Sequence, residues 1–467
     1  MLFNSLEFLL CFLPLALGVW QLTGGRLRIA LLGLTSSVFY AYTGAIWFLL
    51  PMFLSGTIDY FAATRIERSE DIAVRRGWLL LSISINLAML AWFKYAGLFA
   101  DSIASLAAIV SPKSRLGTSW AATQVTLPPG ISFYTFQTLS YTIDVYRRAI
   151  RPARSYVDYV AFVTFFPQLV AGPIARYDGL GWEIERAAGE KRAPNWKRGT
   201  LLFSVGLCKK VLVADRLANL IDPSIASIGS QPLFVAWCCL LGYAMQIYFD
   251  FSGYSDMACG LGELFGLKLP INFNSPYKAV NPQDFWRRWH ITLSTFIRDY
   301  LYVPLGGNHG SPGRAALTLL LTMCLAGLWH GANWTFVVWG LYHGLLLLGY
   351  RATRVRWDSA PLWAQRLGTF LLVCVGWVFF RAPTFVEAGG WLVGLAGGHG
   401  LGIEWLSERL ALPLLLTIAL VMVQRAPGSV EFDFERADRK RVLGIALLTC
   451  AALLLMNYSS VFIYYQF

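Results

Sequence analysis

The sequence predicts a polytopic membrane protein with helical crossings, organised as a single domain over residues 1–467. Three observations carry that reading. The composition is 56% hydrophobic, 15% aromatic and only 14% charged, far more apolar than a soluble domain of this length. Apolar runs recur from one end to the other, broken by short charged or Pro/Gly-rich pieces. Arg and Lys, which give a net charge of +12, cluster in those pieces rather than on a basic face, so they mark cytoplasmic loops and exclude nucleic acid as a partner.

The runs fall near residues 5–23, 29–44, 46–63, 78–99, 127–144, 158–174, 199–220, 232–249, 315–348, 361–380, 385–397, 409–424 and 442–458. Several are too short to cross alone, which predicts about ten to twelve crossings plus re-entrant or interfacial helices. The first run follows a start with no Lys or Arg, unlike a secretory signal, and reads as a retained span. Basic clusters follow the first, third and fifth runs, placing these loops in the cytoplasm and the N-terminus outside; Lys191 to Arg198, Arg351 to Arg356 and Arg425 to Arg441 extend the pattern and put the C-terminus outside too. No internal repeat is visible, and no soluble linker exceeds residues 175–195. The eight cysteines lie in or beside apolar runs with no disulfide or metal-ligand spacing, and read as small buried hydrophobes.

The most informative segment is Trp329-His330-Gly331-Ala332-Asn333-Trp334, inside the run 315–348. As one helix that run would measure roughly 50 Å, against a hydrocarbon core of about 30 Å. It must break, and Gly331 and Asn333 are poor helix-interior residues. Arginines on both flanks make the break a tight hairpin or a re-entrant turn with both ends cytoplasmic. An ionisable group at that depth reads as functional by default, so His330 is expected in the wall of a polar cavity; the structural alternative is a histidine donating to a carbonyl at the break.

A second constellation is Asn281 to His290. Asn281 suits an N-cap, Pro282 a first helical position and Asp284 a capping-box acid. Trp286, Trp289, Leu293, Phe296 and Tyr300 then form one stripe of an interfacial amphipathic helix, with Arg287, Arg288 and Arg298 away from it and His290 beside Trp286, Ser294 and Ile297. His290 is either a histidine at headgroup level or a site residue. The run Tyr248 to Asp256 contains two carboxylates, Asp250 and Asp256, with Ser252 between them; the carboxylates orient an imidazole, hold an acceptor hydroxyl, or cap a helix beginning at Ser255 or Asp256, and capping is favoured for at least one. Phe165 to Pro173 reads as a broken membrane segment with a packing role. Dinucleotide, phosphate-loop and HExxH signatures are missing, His343 has no metal-ligand spacing, and His309 and His399 sit in Gly-rich loops, so no metal site is expected.

An imidazole surrounded by hydrocarbon stays neutral and accepts a proton near pH 7. Transfer of an acyl group from a thioester to an alcohol needs such a base and a dry site, because water would hydrolyse the donor. The segments Trp329 to Trp334, Asp284 to His290 with Arg298-Asp299-Tyr300-Leu301, Tyr248 to Asp256 and Phe165 to Pro173 together resemble the membrane-bound O-acyltransferases, in particular the bacterial branch that serves alginate acetylation. The likeness runs from Leu2-Phe3-Asn4-Ser5 to Phe462-Ile463-Tyr464-Tyr465-Gln466-Phe467.

That resemblance implies an all-α fold around a central funnel or tunnel, with His330 as the catalytic histidine and His290 lining the same channel. Trp329, Asn333, Asp250, Ser252, Asp256, Trp289, Arg287, Arg288 and Arg298 would support the site or bind the donor. It also implies no permanently bound cofactor, acetyl-CoA as donor from the cytoplasm, a partner protein that accepts the acetyl group outside the bacterial inner membrane, and an exported polysaccharide as final acceptor. Two other readings remain open: aminoacyl transfer from a carrier protein to a cell-envelope polymer, and a polysaccharide or lipid transporter whose histidines bind cargo without chemistry.

Overall fold

The structure is a computed structural model describing residues 1–42, 44–110, 126–190, 192–408 and 411–456. Lys191, the first residues of the run at 409–424, the last of the run at 442–458 and the motif 462–467 lie outside the described residues. Every regular element among the described residues is helical. Five helical stretches there are long and apolar enough to cross a membrane: Ile46–Arg68, Ile72–Ala107, Leu233–Phe265, Pro312–His330 and Leu362–Arg381. Phe8–Leu22, Phe385–Leu395 and Ala411–Arg425 are apolar but shorter. The chain forms two compact units, Met1–Trp196 with Leu261–Pro270, and Lys197–Gly260 with Ile271–Phe467.

The first unit contains α1 (Leu13–Leu22), α2 (Gly25–Ala41), α3 (Leu49–Arg68), α4 (Ile72–Leu90), α5 (Ala96–Val110), α6 (Ile131–Tyr146), α7 (Tyr156–Thr164), α8 (Phe166–Leu169) and α9 (Trp182–Arg186). A buried polar network fixes three of them. Asp59 on α3 accepts from Ser82 Oγ at 2.6 Å and Asn86 Nδ2 at 2.9 Å on α4, while Asn86 Oδ1 accepts from Ser55 at 2.7 Å and Thr138 on α6 at 3.2 Å. Buried polar groups are costly unless paired, so this network favours one packing of α3, α4 and α6. The expected break in 165–173 falls at Phe165, whose ψ of 106° ends α7, and Pro167 sits in the first turn of α8. Phe166 then packs against Phe12 and Phe39. The basic loop near 150 is tied down by Glu185, which accepts from Arg151 at 2.5 Å and from the Tyr177 hydroxyl at 2.7 Å. Burial opposes the Glu185 charge, but those hydrogen bonds prevail and hold its carboxyl below the ordinary range.

The second unit is built from α10 (Trp196–Cys208), α11 (Asp215–Ile225), most of α12 (Leu233–Phe265), α13 (Pro282–Arg288), α14 (Ile291–Ile297), α15 (Pro312–His330), α16 (Trp334–Asp358), α17 (Leu362–Arg381), α18 (Phe385–Leu395), α19 (Ile403–Glu408), α20 (Ala411–Arg425) and α21 (Arg439–Leu455). Here α12 corrects one expectation. Residues 248–256 lie within its 33-residue span, where neither Ser255 nor Asp256 caps a helix. Its carboxylates pair with cations on the preceding segment of the same chain instead: Lys210 bridges Asp250 at 2.7 Å and Asp215 at 2.9 Å, and Lys209 binds Asp256 at 2.6 Å. A Cβ on Gly253 would lie 2.7 Å from the Gly206 carbonyl, so that close approach requires glycine.

A second correction concerns 282–302, which is not one amphipathic helix. It ends at Arg288, turns through His290 with φ 42°, restarts as α14 and closes in a π-helical turn at Arg298–Tyr302. The Asn272 carbonyl accepts from Ile291 N–H at 2.9 Å and Asn274 N–H donates to Arg288 O at 3.0 Å, so an extended neighbouring segment captures the backbone groups that a continuous helix would use itself. The cysteine reading holds in part. All eight are free thiols, but only Cys239 and Cys374 are buried; Cys208, Cys238, Cys259 and Cys324 are half-buried, and Cys11 and Cys450 lie on exposed helix faces.

The break expected near His330 is a tight hairpin. Ser311 caps α15 and Pro312 begins it; Gly331 leaves the helix extended, and Asn333 caps α16 by accepting from Thr335 N–H at 3.0 Å. Added Cβ atoms at Gly327 and Gly340 would collide with the carbonyl oxygens of Phe336 and Met323 respectively. Gly327→Val and Gly340→Val are therefore expected to lower the thermal midpoint of the detergent-solubilised protein by at least the equivalent of about 1–3 kcal/mol, typical of overpacking, while Gly349→Val, in open space on α16, leaves it nearly unchanged. Equal midpoints for all three would contradict the packing. Lys210→Met strands two buried carboxylates and is expected to cost about 3–5 kcal/mol in urea unfolding, with much of that loss recovered when Asp215→Asn and Asp250→Asn are added.

Candidate active site

His290 is the N-cap of α14, and its left-handed backbone turns the ring back toward the residues before α13. Its Nδ1 lies 2.9 Å from Asn272 Oδ1. The same oxygen accepts from the Thr292 hydroxyl at 3.0 Å and Thr292 N–H at 3.4 Å, while Asn272 Nδ2 faces Ser255 at 3.4 Å. Those donors assign the Asn272 oxygen as an acceptor, which makes His290 Nδ1 the protonated nitrogen and leaves the lone pair on Nε2. The imidazole is thus oriented as a proton acceptor. Its ring packs edge-on against Phe251 at 4.7 Å and lies 6.1 Å from the Trp329 ring.

His330 closes α15. Its ring meets Trp329 at 5.0 Å, Trp339 at 5.0 Å and Phe380 at 5.2 Å. Trp329 thus neighbours both histidines, and both are buried: His290 is 0% exposed and His330 5%. The arrangement extends through Trp339 to His343, at 4.9 Å, and from His343 to Trp286, at 5.3 Å. The sequence stripe missed His343 and Asn272. The argument from ionisable residues in apolar runs that singled out His330 applies equally to His343 in 315–348, which was weighed only as a metal ligand.

The other expected site residues fall into three places. Trp289 is buried against Phe273, Phe285 and Trp377, behind the turn that carries His290. Asn333 is engaged by its cap and by donating to Pro383 O at 2.8 Å. Asp250 and Asp256 are held by lysines, and Ser252 is buried on the same helix. His309 and His399 are exposed. No group of three metal-ligating side chains forms among the described residues.

The arginines separate. Arg288 binds Asp284 at 2.9 Å and turns away. Arg287 and Arg298 line a cleft of about 430 Å³ together with Arg351. Helical spacing builds it: Gln283, Trp286 and Arg287 come from α13, Ile291, Ser294 and Thr295 from α14, and Leu347, Tyr350 and Arg351 from α16. Trp286 joins this cleft to the histidine cluster, since its ring touches both His343 and Trp339.

The model of the membrane-bound O-acyltransferase family matches residues 38–382. The chain is 42% identical to the Probable alginate O-acetylase AlgI of Azotobacter vinelandii over 390 residues, 82% of this chain and 75% of that protein. It is 37% identical to the peptidoglycan O-acetyltransferase of Helicobacter pylori over 444 residues, 88% of this chain and 82% of that protein. Similarity to the teichoic acid D-alanyltransferase of Bacillus subtilis is 27% over 272 residues, 55% of this chain and 69% of that protein. Apolar helices, the buried histidine pair and these matches converge: the chain is a multi-pass membrane acyltransferase and belongs to the membrane-bound O-acyltransferase family.

Proposed function

We propose that the protein is an O-acetyltransferase that takes acetyl groups from cytoplasmic acetyl-CoA and passes them across the bacterial inner membrane for esterification of an exported polysaccharide. The observation that carries this reading is that His290 and His330, 40 residues apart in sequence, both lie against one buried indole, Trp329. His330 takes the proton of the acceptor hydroxyl as its oxygen attacks the thioester carbonyl. The carbon–sulfur bond breaks, and the departing thiolate takes the proton back from the His330 imidazolium, which restores the neutral base. His290, its tautomer set by Asn272, offers a second acceptor nitrogen in the same apolar enclosure. The aromatic walls exclude the water that would hydrolyse the donor.

In this reading the chain acts as one domain with ten to twelve crossings around a tunnel, both termini outside, and a partner on the far side that receives the acetyl group. Acetyl rather than aminoacyl transfer is favoured because the relatives matched over most of the chain are named for O-acetylation. The D-alanyltransferase similarity gives a second reading, a carrier-borne aminoacyl donor. Membranes containing the protein are expected to move label from acetyl-CoA to an acceptor, with no dependence on a phosphopantetheine carrier. A carrier requirement would favour the second reading.

His330→Ala is expected to reduce transfer by about 10² to 10⁴-fold, the range of a lost general base. A folded His330→Ala protein that transfers as well as wild type would sink the proposal. Asn272→Leu removes the partner of His290 Nδ1 along with the Thr292 and Ser255 contacts, and is expected to slow transfer at least roughly tenfold, the effect of losing one hydrogen bond of about 1–1.5 kcal/mol. Initial rates at saturating donor, with expression matched by immunoblot, measure both.

A further inference from the structure

Three tryptophans of the second unit place their indole N–H on a backbone carbonyl. Trp237 donates to Leu395 O at 3.1 Å, Trp357 to Val280 O at 2.7 Å and Trp391 to Ala236 O at 3.1 Å. That pattern fails beside the histidines, where the buried N–H groups of Trp286 and Trp339 have no acceptor among the described residues. An indole nitrogen can only donate, so nothing else on the ring compensates. A buried donor without an acceptor is unfavourable, and native proteins keep such groups chiefly where water, a ligand or the reaction itself meets them.

Of the two, Trp339 lies against the base. Its ring is 5.0 Å from that of His330 and crosses it at 84°, whereas Trp286 packs on His343 at 5.3 Å. Trp339 is fully buried, with Phe380 at 5.2 Å, Trp286 at 5.8 Å and Trp377 stacked on it at 6.0 Å. Its backbone is equally constrained, because the next residue, Gly340, brings α16 against the Met323 carbonyl. The donor is therefore held in place before any charge develops, which is what makes such a group effective in a site that excludes water. Acyl transfer shifts charge at two oxygens, the attacking hydroxyl and the thioester carbonyl. His330 serves the first and leaves the second without a donor.

We propose that Trp339 is a further catalytic residue, whose indole N–H donates a hydrogen bond to the thioester carbonyl oxygen as that oxygen becomes an oxyanion. This rests on the acetyltransferase reading and deepens it. When the acceptor oxygen bonds to the carbonyl carbon, the π pair of the carbonyl moves onto its oxygen, and the Trp339 N–H meets the new charge. On collapse the carbonyl re-forms, the carbon–sulfur bond breaks, and the thiolate takes the proton held by His330. The indole proton stays on its nitrogen throughout. A neutral donor suits this position, since a cation against His330 would lower the basicity of the imidazole.

The test replaces Trp339 with 3-benzothienylalanine through an amber codon, which puts sulfur in place of the N–H in a ring of nearly the same shape. Membranes from the expressing cells are assayed for transfer of alkali-labile label from labelled acetyl-CoA, per amount of folded protein. The kcat is expected to fall about 10² to 10³-fold, the effect of losing one oxyanion donor, with KM for acetyl-CoA changed less than about twofold. The thermal midpoint should equal or exceed that of wild type, because the variant no longer buries an unmet donor. Trp339→Phe should show the same loss of kcat. The same replacement at Trp391 removes the bond to Ala236 O and should lower the midpoint while leaving kcat unchanged. A benzothienyl variant at 339 with kcat near wild type overturns the proposal. So does a fall in kcat matched by a fall in midpoint, which assigns the ring to packing, or by a displaced pH–rate profile, which assigns it to holding His330. A wild-type protein that transfers no label at all defeats the acetyltransferase reading itself, and the proposal with it.

Discussion

Close backbone approach between α15 and α16 is the constraint on which the candidate site depends. Without side chains at Gly327 and Gly340, each helix brings its carbonyls against the other, and the Gly331 turn fits beneath the Phe336 ring. Helices gain little from the hydrophobic effect where lipid is the alternative solvent, so such contacts and their dispersion energy carry the association. The geometric result is specific. His330, at the end of one helix, meets Trp339 in the second turn of the next, and His343 follows four residues later on the same face. A wider hairpin would separate these rings.

Two buried polar clusters follow different logic. In the first unit the Asp59 carboxylate is satisfied entirely by neutral donors, Ser82 and Asn86. In the second unit, carboxylates are met by lysines, with Lys210 serving two of them. Removing either lysine would leave a charge where little water can replace it, so these pairs act against alternative packings more than as net sources of stability. Because Asp250 is held in this way beside Phe251, which packs on His290, the lysine pairing also fixes the wall of the histidine enclosure.

Much of this was legible in the sequence, for reasons tied to single residues. The hairpin at His330 followed from run length against bilayer thickness and from Gly331 and Asn333, and the Phe165 break from the same kind of punctuation. Capping chemistry placed the start of α13 correctly, with Asn281 accepting from Asp284 N–H at 2.8 Å. Its end was hidden because the stripe Trp286, Trp289, Leu293 continues an apparent helical period across His290. What interrupts it is a tertiary bond pattern from residues 272–274, and periodicity carries no information about partners that far along the chain. The cap expected at Ser255 or Asp256 failed for the same reason, since Lys209 and Lys210 that satisfy the carboxylates lie some 40 residues earlier.

The turn at His290 gives the strongest structural reason to treat that residue as more than packing. Ser275 and His290 are both non-glycine residues with left-handed backbone, at φ 46° and 42°, and together they bracket the segment that carries α13. Each such residue costs on the order of 1–3 kcal/mol and persists only where its surroundings over-determine it. Glycine at 290 would relieve the cost, yet the position holds an imidazole whose Nδ1 is bound to Asn272 and whose ring rests on Phe251. A side chain that serves only to fill space needs neither a strained backbone nor a fixed tautomer. The strain instead sets the direction of Nε2, and a direction matters most for a nitrogen that must meet a proton.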